Sequence, residues 1–311
     1  TLTAGASTIN IGTNLTVTTF NANTSSVIFD TVVVSSIGAY SFNNLTIDKG
    51  AGSLTSTGAW SASNLTLNSG TLTSGAAKTI TTSLTLNGGT WNAGAFVHQI
   101  AGSWNSTAIT FNNDLGTIRL TTVGPTITTS GAGQPFNNLT IDNAATLASP
   151  VNVNGILLVS GGNLDIVAQT LTVATLNHQA AGAAIVGTTG TLAVTNATLG
   201  RPVTFSGLGN ITITGGAVSL AGPGPATLTS AGGTISLGST IDNAQGFIAN
   251  AGGGTVNISA VLGGLTPLTS ASFTGGTINL GANVTTANGA IGITGAVVLT
   301  ATTTISSGAG G

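Results

Sequence analysis

The chain has 311 residues, of which 3% are charged and 41% hydrophobic, where ordinary globular domains carry roughly a quarter charged residues. Four cations (Lys49, Lys78, Arg119, Arg201) against six Asp leave a net charge of −2, which excludes an electrostatic nucleic-acid or anionic-membrane partner. Regular Val, Ile and Leu exclude disorder, a composition led by Thr, Gly, Ser, Asn and Val excludes a helical bundle, and no apolar run is long enough for a transmembrane helix.

In chain order, the predicted elements are short strands of period two, punctuated by Gly, Asn and Ser turns. FNNLTID stands at 42–48 and recurs letter for letter at 136–142, closing parallel passages at 19–48 and 110–142. Phe42 and Phe136 are expected to enter the core at the end of one face. Asn43 and Asn44, and likewise Asn137 and Asn138, are expected to make the corner, because Asn tolerates left-handed backbone and bonds its own main chain. Leu45 and Ile47 then begin the next inward face, with Thr46 and Asp48 outward. Asn side chains in successive turns can ladder along the axis. The repetition is either a duplicated super-repeat, 19–109 and 110–205, or one favoured turn–strand phrase used twice.

NLTID (44–48), NLTLN (64–68) and SLTLN (83–87) recur at nearly even steps. In the last third, 206–311, GGTISLGS (232–239), GGTVNISA (253–260) and GGTINLGA (275–282) do the same. GGAVSLAG (215–222) precedes them and GAVVLTAT (295–302) continues the series. A unit of this size holds about three strands of about five residues plus corners. It cannot bury its apolar residues alone and becomes stable by stacking on its neighbours. The expected fold is therefore all-β, a parallel β-helix or β-solenoid with turns of about 17–25 residues, running as one continuous segment over 1–311. About 15 such turns at ~4.8 Å each would make a rod roughly 70 Å long.

Candidate chemistry is sparse. A β-helix polysaccharide enzyme needs clustered carboxylates. Of the six Asp (30, 48, 114, 142, 165, 242), Asp48 and its neighbour Lys49 point to opposite faces, and Asp48 and Asp142 belong to different repeats. They read as solvated corner residues, so no catalytic residue and no enzyme is expected. His98 and His178 lack partners at ligand spacing and read as residues of wet turns, so no metal site is expected. GAGQP (131–135) lacks the Lys-Ser/Thr of a phosphate loop, and no cofactor is expected. Trp60, Trp91 and Trp104 each follow a Gly and a small residue, in TGAW, GGTW and AGSW. That regularity suggests one structural slot in core or corner; the other reading is a stack on sugar rings, a glycan contact. Thr-x-Thr pairs at 71/73, 126/128, 212/214 and 227/229 are too sparse and too unevenly placed for a Thr face in every turn that would bind ice.

GGTINLGANVTT (275–286), GGLTPLTSASFTGG (263–276) and GAVVLTATTTISSG (295–308) resemble the degenerate stalk repeats of exported bacterial proteins of the filamentous-haemagglutinin and autotransporter-adhesin type. TFNNDLGTI (110–118) and FNNLTID resemble strand–turn phrases of similar giant surface proteins. The resemblance covers most of the chain, most clearly 226–311. It implies a right-handed β-helix, outer-membrane export, an adhesive or matrix role, and no catalytic motif to carry over. The family's N-terminal secretion domain, C-terminal membrane barrel and capping turns are not recognisable, and ISSGAGG (305–311) reads as leading into another repeat, so an internal segment of a longer protein is expected. The functional expectation is a structural or adhesive extracellular fibre or surface stalk, secreted to the cell surface. Its partners would be further copies or neighbouring repeats of itself, or a glycan or other cell-surface ligand. The alternatives are a ligand-binding solenoid for glycan or ice and, more remotely, a polysaccharide-processing β-helix enzyme.

Overall fold

A computed structural model describes residues 1–131, 134–179, 184–199, 204–222 and 224–308. Arg201, part of GAGQP and the end of ISSGAGG lie outside the described residues. The chain divides into two compact units, Thr1–Asp142 and Asn143–Gly311. Each is a parallel β-solenoid, and no α-helix occurs among the described residues. A short coil carries the chain from Leu2 to its partner Phe20, and a long one from Ile211 to its partner Ile235, both within the expected span. Parallel pairing needs a long return path, and here the rest of the coil supplies it.

In the Thr1–Asp142 unit some strands run on around corners, as in Ser41–Ser56 and Trp60–Ser74. Period-two alternation turns every second residue inward, and the register stacks these residues in columns. Phe29, Ile47, Leu67 and Leu86 form one column. Leu54, Leu72, Trp91 and Phe111 form a second, and Ala62, Ile80, Ile100, Leu120 and Ile141 a third. All are buried. Full burial of such a side chain contributes about 1.5–3 kcal/mol.

The Asn143–Gly311 unit is built alike. Leu171, Leu192, Ile211, Ile235, Val256 and Ile278 form one buried column. On another face large and small residues alternate: the coil with Phe247 and Ala249 stacks on the coil with Ala271 and Phe273, so ring and methyl exchange places and the volume stays filled. The GGT repeats have a steric cause. A Cβ on Gly233, Gly254 or Gly276 would stand 1.7, 1.9 or 2.4 Å from a backbone oxygen of the preceding coil. Only glycine allows the coils to close to pairing distance there.

The two FNNLTID copies occupy different faces. Residues 44–47 pair with 64–67, and those with 83–86. Residues 138–141 pair with Thr117–Leu120, which pairs with Val97–Ile100, whose Gln99 and Ile100 pair with Thr79 and Ile80. Thr79 and Ile80 continue the face of Ser61–Ala62 and Ser41–Phe42, one face earlier in the coil. The phrase is thus a turn–strand unit used at two places in the coil, and its copies are not in structural register.

Candidate functional site

The residues nominated for chemistry lie mostly inside. Trp60, Trp91 and Trp104 are 3%, 0% and 0% exposed. Trp91 stands in its column between Leu72 and Phe111, and its Nε1 donates to Ser74 Oγ at 3.0 Å. Trp104 packs on Phe111 and Phe136 at ring-centroid distances of 4.8 and 5.4 Å. With their faces covered, these indoles offer no platform to a sugar ring, and the glycan contact proposed for them is corrected to core packing. Asn43 is half-buried at a bend where inward–outward alternation slips by one position. Asn44 joins a side-chain ladder, Asn137 donates to Gly116 O at 3.5 Å, and Asn138 opens the strand Asn138–Ile141.

The expectation of wet-turn histidines is overturned. His98 and His178, and with them Lys49 and Lys78, are fully buried. Each stands two positions before or after an inward aliphatic residue: Ile47, Ile80, Ile100 and Leu176. Strand parity therefore turns them inward. Lys49 Nζ donates to Ser35 Oγ at 2.9 Å and Thr31 Oγ1 at 3.3 Å; burial lowers its pKa and the charge of Asp30 opposes that shift. Lys78 Nζ lies 5.4 Å from the Trp60 ring centroid and donates to the carbonyls of Ala76 and Ala77; burial pushes its pKa down to about 8. His98 Nε2 donates to Ala93 O at 2.8 Å; burial pushes its pKa down to about 4, and the nearby Lys78 charge adds to that shift. His178 packs against Phe205, neither ring nitrogen has a hydrogen-bond partner among the described residues, and burial lowers its pKa.

Most carboxylates tie corners. Asp48 Oδ1 accepts from Ser69 Oγ at 2.5 Å, Asp114 Oδ2 from Gly94 N at 2.9 Å, and Asp165 Oδ1 from Val167 N at 2.8 Å. Asp242 Oδ1 accepts from Leu265 N at 2.9 Å, and Asp142 Oδ2 pairs with Arg119 Nε at 2.7 Å. No group of three metal-ligating side chains occurs among the described residues.

The outward surface is where the molecule is distinctive. On one face of the Asn143–Gly311 unit the register aligns Thr234, Thr255 and Thr277 in one column and Ser236, Asn257 and Asn279 in the next. Asn279 donates to Asn257 at 2.7 Å, and Asn257 to Ser236 Oγ at 3.2 Å. The other unit repeats the pattern: Thr71, Thr90 and Thr110 form one column, Thr73, Asn92 and Asn112 the next, and Asn112 donates to Asn92 at 2.6 Å. A second ladder joins Asn64 to Asn44 at 2.8 Å and Ser83 to Asn64 at 2.7 Å. Searching for Thr-x-Thr alone misses this lattice, because Ser and Asn take the second position in most coils. The expected Asn ladders are present; a face of Thr pairs in every coil is not, since Ala193 and Asn257 interrupt it.

One concavity on the Thr1–Asp142 unit is an open groove of about 430 Å³ beside Asn21, Asn43 and Ser63. A smaller hollow of about 260 Å³ beside Tyr40, Ser61 and Thr79 shares Ser41 with it. The chain matches no protein-family model, no curated protein and no solved structure.

Proposed function

We propose that the chain is a structural or adhesive fibre or surface-stalk segment of the filamentous-haemagglutinin and autotransporter-adhesin kind, working outside the cell. The observation that carries this reading is the lattice of Thr, Ser and Asn side chains on the coil faces, free of charge over successive turns. Hydroxyls and amides arrayed at coil spacing can bond to a neighbouring fibre or to a hydroxyl-rich surface. With 3% charged residues, little repulsion opposes lateral packing. The carboxylates serve the corners, and the reading assigns the protein no chemical step.

Electron microscopy and sedimentation velocity of the purified chain test this. The expected result is filaments or lateral bundles that disperse when Thr255 and Asn257 are replaced by Lys, a pair of changes that leaves the inward Val256 and Ile258 untouched. Monodisperse single particles at every concentration, or bundles indifferent to the two lysines, would count against it.

A further inference from the structure

We propose that the open groove of the Thr1–Asp142 unit binds a neutral oligosaccharide. Its volume of about 430 Å³ falls in the range of small-ligand sites. One wall is a row of outward polar residues: Thr3 pairs with Asn21, and Asn43 stands over Ser63 where Phe42 and Asn44 pair with Ala62 and Asn64. Elsewhere in this unit outward Asn amides close on one another, as in Asn64 to Asn44, Asn87 to Asn68 and Asn112 to Asn92. At the groove the ladder continues where Asn21 donates to Thr3 Oγ1 at 3.4 Å and Ser61 to Ser41 Oγ at 3.0 Å, and it lapses at three positions. The side chains of Asn23, Asn43 and Ser63 make no hydrogen bond among the described residues, so each presents its donor and acceptor to whatever enters.

Beneath this wall the aromatic packing is closed and held in place. Phe20 and Phe42, 5.4 Å apart, are 9% and 4% exposed and form a covered floor. Tyr40 stands edge-on to both, at 6.0 and 6.2 Å, where the groove meets the smaller hollow. Its hydroxyl accepts from Val17 N at 3.0 Å and donates to Val17 O at 2.9 Å, which fixes the ring before any ligand arrives. No charged side chain lines the groove. A neutral sugar matches this wall through its hydroxyls, each both donor and acceptor.

This inference stands apart from the fibre reading. A chain that bundled yet bound no saccharide would keep that reading and lose this one. The test titrates the full chain with fluorescein-labelled maltohexaose, cellohexaose and mannohexaose, beside hexagalacturonate and a neutral Gly-Ser hexapeptide. Fluorescence polarisation and backbone amide shifts are followed. At least one neutral hexasaccharide is expected to bind saturably, to shift the amides of Asn43 and Ser63, and to lose about tenfold in affinity with Asn43→Ala or Ser63→Ala. Asn154→Ala, at an exposed position of the other unit outside the outward lattice, is expected to leave affinity unchanged. If Asn43→Ala misfolds, Ser63→Ala and the wild-type shift map decide. Failure of all three hexasaccharides to bind, shifts confined to other surfaces, tighter binding of the hexapeptide or hexagalacturonate, or folded variants with unchanged affinity would each overturn the proposal.

Discussion

Acid should destabilise the Thr1–Asp142 unit through one side chain, His98. The ring is fully buried, stands 5.4 Å from Trp91, and uses Nε2 on Ala93 O. Lys78 also faces it, and the two together keep it neutral, with burial the larger cause. In the unfolded chain His98 takes up a proton as the pH falls through 6.5; in the fold it resists until about 4. Between those values the unfolded state binds more protons, so stability falls as the pH falls. At 1.36 kcal/mol per pKa unit, about 3 kcal/mol should be lost by pH 4. All three Trp lie in this unit, so indole fluorescence during urea titration reports its unfolding and not that of the unit holding His178, whose depressed pKa acts with the same sign. The urea midpoint should drop steadily from pH 7 to 4 in the wild type, and much less in His98→Leu. A midpoint constant over that range, or an equal drop in His98→Leu, would refute the reasoning.

Three other outcomes are expected. Burial lowers the Lys78 pKa from 10.5 to about 8, so its ammonium costs about 3 kcal/mol at pH 7, offset in part by two carbonyl bonds and the Trp60 ring. Lys78→Met should therefore raise stability by about 1–3 kcal/mol, and wild-type stability should rise between pH 8 and 10.5, where only the unfolded chain keeps the proton; urea titration reads both. Gly254→Ala should destabilise by about 1–3 kcal/mol or more because its Cβ would meet Gly233 O at 1.9 Å, whereas Gly253→Ala, with nothing within 4 Å, should be close to neutral in a thermal melt. Phe136→Ala should cost about 3–5 kcal/mol in urea titration, because the ring closes the cluster around Trp104 and Phe111.

Much of the fold was legible because two signals agree. The GGT phrases starting at Gly232, Gly253 and Gly275 step by the same coil length that pairs Thr234 with Thr255 and Thr255 with Thr277. Alternation in TISL and NLTI assigned the inward residues correctly. The buried polar residues were missed because chemical type was weighed above parity. In KTI, VHQI and LNH the Lys or His shares its face with an inward aliphatic residue, and that parity prevailed at the cost of a lowered pKa. The Asn ladders of the outward lattice were legible, but its mixed columns escape a pattern of identical Thr pairs, because Ser and Asn hold the same position. The groove had no sequence signal: its free amides are defined by the absence of ladder partners, and only register shows that.

The coil-on-coil stacking on which the account rests can be measured directly within the Asn143–Gly311 unit. The chain has no Cys, so Thr170→Cys and Thr277→Cys can carry spin labels cleanly. The two sites lie in one column, five coil steps apart through Thr191, Asn210, Thr234 and Thr255. At ~4.8 Å per step, double electron–electron resonance should give a narrow distribution centred at about 24 Å. A broad distribution, or a centre beyond about 40 Å, would contradict the parallel solenoid.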